Sequence, residues 1–182
     1  MPNLLQIQGL RSKYASQSPI TKNEVRLLSE SYNRSLYEIK ASFNTHSTNS
    51  NLIPYFEEQQ SANIVMLFID ISDFSEKCKS FTNSQLSTFL DNYYDVVIPR
   101  VYAQGGEIEK IIGDGIICIF GEPFLKDSKT LLFQKADQAA KDIIMDLKGT
   151  NKEVKIALHD GSIMYYKNKT LNYPEYTMIG KH

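Results

Sequence analysis

Several residue types are scarce in this chain, and each scarcity excludes a class of protein. The 182 residues include only two cysteines and three histidines, too few for a disulfide framework or a zinc site. No apolar run approaches the roughly 20 residues of a membrane-spanning helix, and residues 1–10 lack the basic start and apolar core of a signal peptide. The net charge of -1 gives no general attraction to nucleic acid or anionic membranes. We therefore expect a cytoplasmic protein with no membrane span and no nucleic-acid partner.

The remaining composition is that of a globular protein, because 42% of the residues are hydrophobic and 23% charged. The length of 182 residues suggests one domain with additional elements. A polar stretch at 44–51 separates an N-terminal extension, residues 1–62, from a domain at 63–182. In the extension we expect residues 1–21 to be loosely docked. One amphipathic helix is predicted at about 22–43, where apolar residues recur at steps of three and four. This helix is expected either to pair with its twin in a dimer or to dock on its own domain. Its apolar stripe consists of Val25, Leu28, Tyr32, Leu36, Ile39 and Phe43.

From residue 63 onward the hydrophobic pattern changes from element to element. It predicts a buried strand at 63–70, a helix at 84–104 that Pro99 should kink or shift, and a second helix at 129–148. Further strands are predicted at 107–113, 116–120, 154–158 and 176–179. The order of these elements predicts an α+β fold of the ferredoxin-like βαββαβ type, with both helices on one face of a mostly antiparallel sheet.

Two aspartates end apolar strands and are candidate metal ligands. Asp70 follows the run 64–69, and Asp114 lies in the Gly-Asp-Gly turn between two predicted strands. Alone, Asp70 also suits a helix N-cap and Asp114 an ordinary hairpin turn. Together they can meet at one end of the sheet, where paired carboxylates would bind Mg²⁺ or Mn²⁺. The loop 71–75 leads into a helix N-terminus, which suits a phosphate.

Five blocks of sequence resemble the catalytic domain of the class III nucleotidyl cyclases, the adenylate and guanylate cyclases. The resemblance extends over about residues 63–182 and implies a palm-like cyclase domain. The blocks occur in the family's order, at 68–75, 105–115, 119–123, 158–161 and 176–180.

The resemblance implies a role for each matching residue. Asp70 and Asp114 would be the catalytic carboxylates and would bind two Mg²⁺ or Mn²⁺ ions together with the backbone carbonyl of Ile71. Lys110 and Thr177 would read the base, a combination that resembles adenylate cyclases and therefore favours ATP. A homodimer with two equivalent sites is implied, making a 3′,5′-cyclic nucleotide and pyrophosphate. The triphosphate would be held by Ser72, Asp73, Phe74, Ser75 and Lys155.

Three other functions remain open. A pyrimidine cyclase that makes cyclic CMP or cyclic UMP in antiviral defence is a close rival, because the chain is short and residues 1–62 contain no recognisable sensor. A diguanylate cyclase is disfavoured, because Ile108 and Glu109 follow Gly105-Gly106-Glu107 where that family has Glu-Phe. An inactive nucleotide-binding or dimerisation module is the non-enzymatic alternative. Since the asparagine and arginine that the family carries after Gly180 are not in this sequence, we expect metal and nucleotide binding with slow turnover.

Overall fold

The computed structural model describes residues 4–14, 22–30, 37–38, 41, 51–167 and 176–180. Its helices are α1 (Leu4–Tyr14), α2 (Lys22–Glu30), α3 (Ile53–Phe56), α4 (Phe74–Cys78), α5 (Asn83–Ala103) and α6 (Lys129–Leu147). Its strands are β1 (Ser61–Ile71), β2 (Glu107–Ile112), β3 (Gly115–Gly121), β4 (Val154–Lys167) and β5 (Tyr176–Gly180). Within these residues no helix has the length and apolarity needed to cross a bilayer.

The five strands form one sheet in the order β2-β3-β1-β4-β5, with every neighbouring pair antiparallel. This confirms the predicted ferredoxin-like α+β fold, and the strand predicted at 176–179 is β5, which pairs with β4. Strand β4 extends well beyond the predicted 154–158 because it pairs with the whole length of β1, from Ile71↔Val154 to Ser61↔Met164. A continuous partner strand therefore outweighs the turn-forming residues Asp160 and Gly161.

One face of the sheet is covered by α5 and α6. Alternate residues of β1 are buried against these helices, as the period of two in a strand requires. Helix α5 begins at a capping box between Thr82 and Gln85 and continues through Pro99. The helix reaches Ala103, so Pro99 does not end it, and the expected kink or shift at Pro99 stays a prediction. Proline removes one helical hydrogen bond, and burial of Val97 and Val101 holds the last turn on the sheet.

Among the described residues, those that cover the opposite face lie over one half of it. There α3 packs on the first residues of β1 in a cluster of buried aromatic side chains, in which the ring of Phe56 stacks on that of Tyr165 with 4.4 Å between centroids. Tyr55 and Tyr176 belong to the same cluster. The other half carries Phe68, which is 37% exposed, and the exposed Asp70. The far end of β1 is therefore accessible.

The N-terminal extension differs from the prediction. We expected loose docking of residues 1–21 and one helix in the extension, but α1 forms at Leu4–Tyr14 and docks on the domain through Arg11, which is 4% exposed. The sequence pattern missed this contact because it is an ion pair rather than an apolar stripe. Of the predicted helix 22–43, the structure describes α2. Its later stripe residues and the linker 44–50 lie outside the described residues.

Candidate active site

The turn between β2 and β3 presents Asp114. The last pair of the hairpin is Ile112↔Gly115, so Gly113 and Asp114 alone form the turn, whereas the sequence predicted a turn of three residues that included Gly115. Gly113 has a φ of 61°, a conformation that glycine adopts without steric cost. Asp114 therefore lies at the tip of a tight, well-defined hairpin.

Asp70 lies at the same end of the sheet as Asp114. It is the penultimate residue of β1, and the pairing of Ile69 with Ile116 brings it beside Gly115. A Cβ atom built on Gly115 would lie 4.0 Å from Asp70 Oδ1. On the other side, the backbone N–H of Ile71 donates to Asp114 Oδ2 at 3.2 Å. The two carboxyl groups therefore meet, although two helices and a strand separate them in the chain.

The environment favours a bound cation. Burial raises the pKa of Asp114, and the adjacent Asp70 raises it further through a hydrogen bond and through its charge, while the N–H groups of Asp114 itself and of Ile71 lower it. Two neighbouring carboxylates repel each other when both are ionised. A divalent cation between them would remove that repulsion.

The donor atoms fit a hard cation. Carboxylate and carbonyl oxygens are the ligands that Mg²⁺ and Mn²⁺ prefer, and Asp70, Ile71 and Asp114 offer both kinds. No group of three or more His, Cys, Asp or Glu side chains suited to a metal occurs in the described part of the chain. In phosphate-binding sites Mg²⁺ is usually bound by one or two carboxylates, and water and substrate phosphate complete its coordination shell.

A groove of about 380 Å³ runs along the open half of the sheet next to Asp70. Its floor is apolar and includes Phe68, Ile117 and Ala157, which are neighbours across three strands. Lys155 lines the same groove and is the direct cross-strand partner of Asp70. The groove thus combines an apolar floor with a positive charge beside the carboxylates.

The predicted phosphate loop is only partly available. The N–H of Ser72 donates to the carbonyl of Glu153 at 2.8 Å, so it is already engaged. Asp73 adopts a left-handed φ of 56°, and α4 begins at Phe74. The first N–H groups of a helix, here those of Phe74 and Ser75, have no acceptor within the helix. The left-handed conformation of Asp73 favours an arrangement in which these N–H groups point into one concave anion-binding site.

The structure does not bring the two predicted base-reading residues together in one chain. A bulge at Glu109 shifts the register so that Lys110 pairs with Ile117, which places Lys110 on the open face above the groove. Thr177 lies in β5 at the opposite edge of the sheet and pairs with Tyr166. Since Tyr176 and Met178 pack in the aromatic cluster, alternation directs Thr177 to the other face.

One residue near the site was not anticipated. The hydroxyl of Tyr94 in α5 donates a hydrogen bond to the carbonyl of Gly113 in the Asp114 turn. The sequence offered one signal, because Tyr94 lies within the predicted helix at 84–104 and a tyrosine at the margin of a buried face usually finds a partner for its hydroxyl.

Solved structures that align with this chain include adenylyl and guanylyl cyclase domains. The adenylyl cyclase CyaB from P. aeruginosa aligns with a TM-score of 0.56 and 22% identity, over 68% of this chain and 68% of that chain. The guanylate cyclase domain of RhGC from Catenaria anguillulae, solved in complex with GTP, aligns with a TM-score of 0.57 and 20% identity over 66% of this chain and 68% of that one. The guanylyl cyclase Cya2 aligns with a TM-score of 0.54 and 19% identity, over 67% of this chain.

The chain has the fold of a class III nucleotidyl cyclase catalytic domain. It spans 66% of the length of Cya2, about two thirds. No protein-family model and no curated protein matches its sequence. In this cyclase fold the hairpin tip and the end of β1 together form the candidate site.

Proposed function

We propose that this chain is a nucleotidyl cyclase, a phosphorus–oxygen lyase that converts a nucleoside triphosphate, with ATP favoured, into a 3′,5′-cyclic nucleotide and pyrophosphate. The observation that supports it most is the meeting of Asp70 and Asp114 beside the Ile71 backbone. The cyclase fold, which adenylyl and guanylyl cyclases share, supports the same reaction.

The proposed reaction forms one bond and breaks one. The ribose 3′-oxygen attacks the α-phosphorus and loses its proton to solvent, and the bond from the α-phosphorus to the bridging oxygen breaks to release pyrophosphate. Two bound Mg²⁺ or Mn²⁺ ions would lower the pKa of the 3′-hydroxyl and would neutralise the negative charge of the pyrophosphate leaving group.

In this reaction the residues of the chain bind and orient. Asp70, Asp114 and the Ile71 carbonyl would hold the ions at the end of β1. The N–H groups of Phe74 and Ser75 would donate to the β- and γ-phosphates, and Lys155 would add a positive charge across the groove. A lysine supplies charge without the two-pronged geometry of arginine, so we expect it to contribute affinity more than orientation.

A homodimer is part of this proposal. The open half of the sheet leaves Phe68 and Ile112 37% and 59% exposed beside the site, and a second copy would cover them. A dimer with two-fold symmetry would also give two equivalent sites. A base bound to the carboxylates of one subunit would then face the open half of the partner's sheet, the face on which Lys110 lies. Thr177 lies on the opposite face, so its role as the second base-reading residue stays a prediction.

A pyrimidine cyclase is the second candidate. The preference for adenine rests on Lys110 and Thr177. These residues lie on opposite faces of the sheet, so they do not form one base-binding pocket within a single chain. Cyclic CMP or cyclic UMP is therefore retained as an alternative product, with antiviral defence as the setting.

The test is incubation with ATP, GTP, CTP and UTP in turn, with Mn²⁺, followed by mass spectrometry of the product. We expect one cyclic nucleotide from the wild type and at least about 10²-fold less from Asp70→Ala, because metal ligation supplies several kcal/mol to the transition state. The exposed Asp91 provides the control variant Asp91→Ala, which should behave as wild type. Equal product from Asp70→Ala would contradict the proposal. Metal-dependent nucleotide binding without product would instead identify a non-enzymatic module.

A further inference from the structure

Helix α5 carries two adjacent tyrosines that meet different surroundings. The side chain of Tyr93 is fully buried, and its hydroxyl has no hydrogen-bond partner in the described part of the protein. Tyr94 lies at the margin of the helix, half-buried, with its ring 5.6 Å from that of Tyr93 between centroids. Its hydroxyl reaches the hairpin turn and donates to the carbonyl of Gly113.

The Gly113 carbonyl belongs to the peptide unit that Asp114 completes. Because a peptide is planar, fixing this oxygen also fixes the direction of the Asp114 N–H. That N–H interacts with the carboxylate of its own residue. The Tyr94 hydroxyl is therefore connected through one rigid peptide to Asp114, and the Ile71 N–H holds the carboxylate of that residue.

The turn needs such support. Gly113 and Asp114 form it alone, and a Cβ on Gly113 would have nothing within 4 Å. No side chain of the described residues therefore packs against Gly113 at that point, whereas a metal ligand must be held within about 0.5 Å of its productive position. Of the contacts described at the tip, the Tyr94 hydrogen bond is the one that joins it to a helix.

Helix α5 is a rigid support for this contact. Val97 and Val101 are fully buried against the sheet. The residue after Tyr94, Asp95, accepts hydrogen bonds from Lys13, at 2.8 Å, and from Tyr14 of α1. Burial on the sheet therefore holds the helix that presents Tyr94, and α1 adds an exposed contact beside it.

From this geometry we infer that Tyr94 is a positioning residue for the divalent-cation site: its hydroxyl holds the Gly113–Asp114 turn so that Asp114 meets Asp70. This inference rests on the proposed function, because it assigns a task to a residue of the same site. Tyr94 touches neither substrate nor metal and acts through the Gly113 peptide.

The matched variants are Tyr94→Phe and Tyr93→Phe, each of which removes one hydroxyl from neighbouring positions of one helix. Mn²⁺ affinity is measured by electron paramagnetic resonance of the free ion, and the mobility of the hairpin by hydrogen exchange over residues 111–117. Tyr94→Phe should weaken Mn²⁺ binding about tenfold, as expected for one lost hydrogen bond. It should also speed exchange at the hairpin without speeding it in β1 or α6. Tyr93→Phe should leave both unchanged, because its hydroxyl has no described partner.

The outcomes separate this inference from the proposed function. If the wild type binds Mn²⁺ and Tyr94→Phe binds it equally well, the inference is overturned and the proposed function stands. If the wild type binds no Mn²⁺ while Asp70→Ala behaves identically, both are overturned. Faster exchange throughout the Tyr94→Phe protein would show a general structural role, which also overturns the positioning role.

Discussion

Gly121 in β3 is a backbone position that admits no side chain. Its φ is 145°, and an added Cβ would lie 2.3 Å from the carbonyl oxygen of Asn63 and 2.9 Å from Ile64 Cα. Both neighbours are backbone atoms of β1, which is paired on both sides and cannot shift. The close approach of these two strands therefore depends on glycine.

Gly121→Ala is expected to lower the free energy of unfolding by about 2–4 kcal/mol, through combined steric clash and backbone strain. The control is Gly9→Ala in α1, where an added Cβ meets nothing within 4 Å and alanine should stabilise the helix by about 0.5–1 kcal/mol. Urea unfolding of both variants measures the difference. Similar midpoints for the two would refute the packing argument.

At this scale the sequence predicted where Asp70 and Asp114 lie but not the faces on which Lys110 and Thr177 lie, and the roles of all four residues stay predictions. Asp70 and Asp114 follow from local signals, namely a strand end and a glycine-flanked turn, and the topology then brings them together. The face on which Lys110 lies depends on the bulge at Glu109, and the face of Thr177 depends on how β5 pairs. Neither the bulge nor the edge pairing has a signature in the local pattern.

Helix α1 is fixed to the domain by a buried ion pair. The guanidinium of Arg11 contacts Glu107 Oε2 at 2.5 Å, with the two side chains 5% and 0% exposed. Glu107 also accepts from the Tyr102 hydroxyl at 2.5 Å and from the N–H of Ile108 at 3.1 Å. Burial raises the pKa of Glu107, while Arg11 and the hydrogen bonds oppose this. The carboxylate has several donors and is held in place.

Arg11→Met is expected to destabilise the protein by about 3–5 kcal/mol, because the buried Glu107 loses its charged partner. Lys13→Met is the control, since Lys13 and Asp95 are 64% and 57% exposed and such pairs contribute at most about 1 kcal/mol. Denaturant unfolding measures both. The double variant Arg11→Met with Glu107→Met should recover most of the loss, and its failure to do so would show that α1 depends on other contacts.

Elements with apolar stripes were predictable and those with polar docking were not. Helices α5 and α6 have long stripes that the sheet buries, and both appear where the sequence predicted them. The contact between Arg11 and Glu107 joins residues 96 positions apart in the sequence. The periodicity of hydrophobic residues within one element cannot predict such a contact. Strand β4 was predicted too short because its second half owes its conformation to β1.

Stability of the whole molecule should depend on pH through Glu109. This side chain is 2% exposed, and burial raises its pKa from the ordinary 4.5 to about 7. The folded state therefore holds a proton that the unfolded state releases at lower pH. Its contribution to stability is complete below about pH 4.5 and is lost as pH rises through about 7.

The free energy of unfolding of the wild type should consequently fall between pH 5 and pH 8, and this fall should be absent from Glu109→Gln. Since one pKa unit corresponds to about 1.4 kcal/mol, the wild type should lose up to about 3 kcal/mol more than the variant over this interval. Urea unfolding of both proteins at the two pH values measures this. Parallel pH dependence in the two would contradict the assignment.

The open half of the sheet is expected to be the dimer surface. Phe68→Glu or Ile112→Glu would place a charge on it and should shift the protein toward a monomer in sedimentation velocity. Met145, which is 70% exposed in α6 on the other side of the sheet, provides the control Met145→Glu. Dissociation by the Met145 variant, or none by the other two, would refute this choice of surface.

The central place of β1 also has a consequence during synthesis on the ribosome. Its two neighbours follow it in the chain, and the pairing of Asp70 with Lys155 requires β4, a late strand. Until β4 has emerged, one edge of the most apolar strand has unpaired backbone groups, the kind of edge that promotes association between nascent chains. Translation speed and chaperone supply should therefore influence the yield of this protein more than its final stability does.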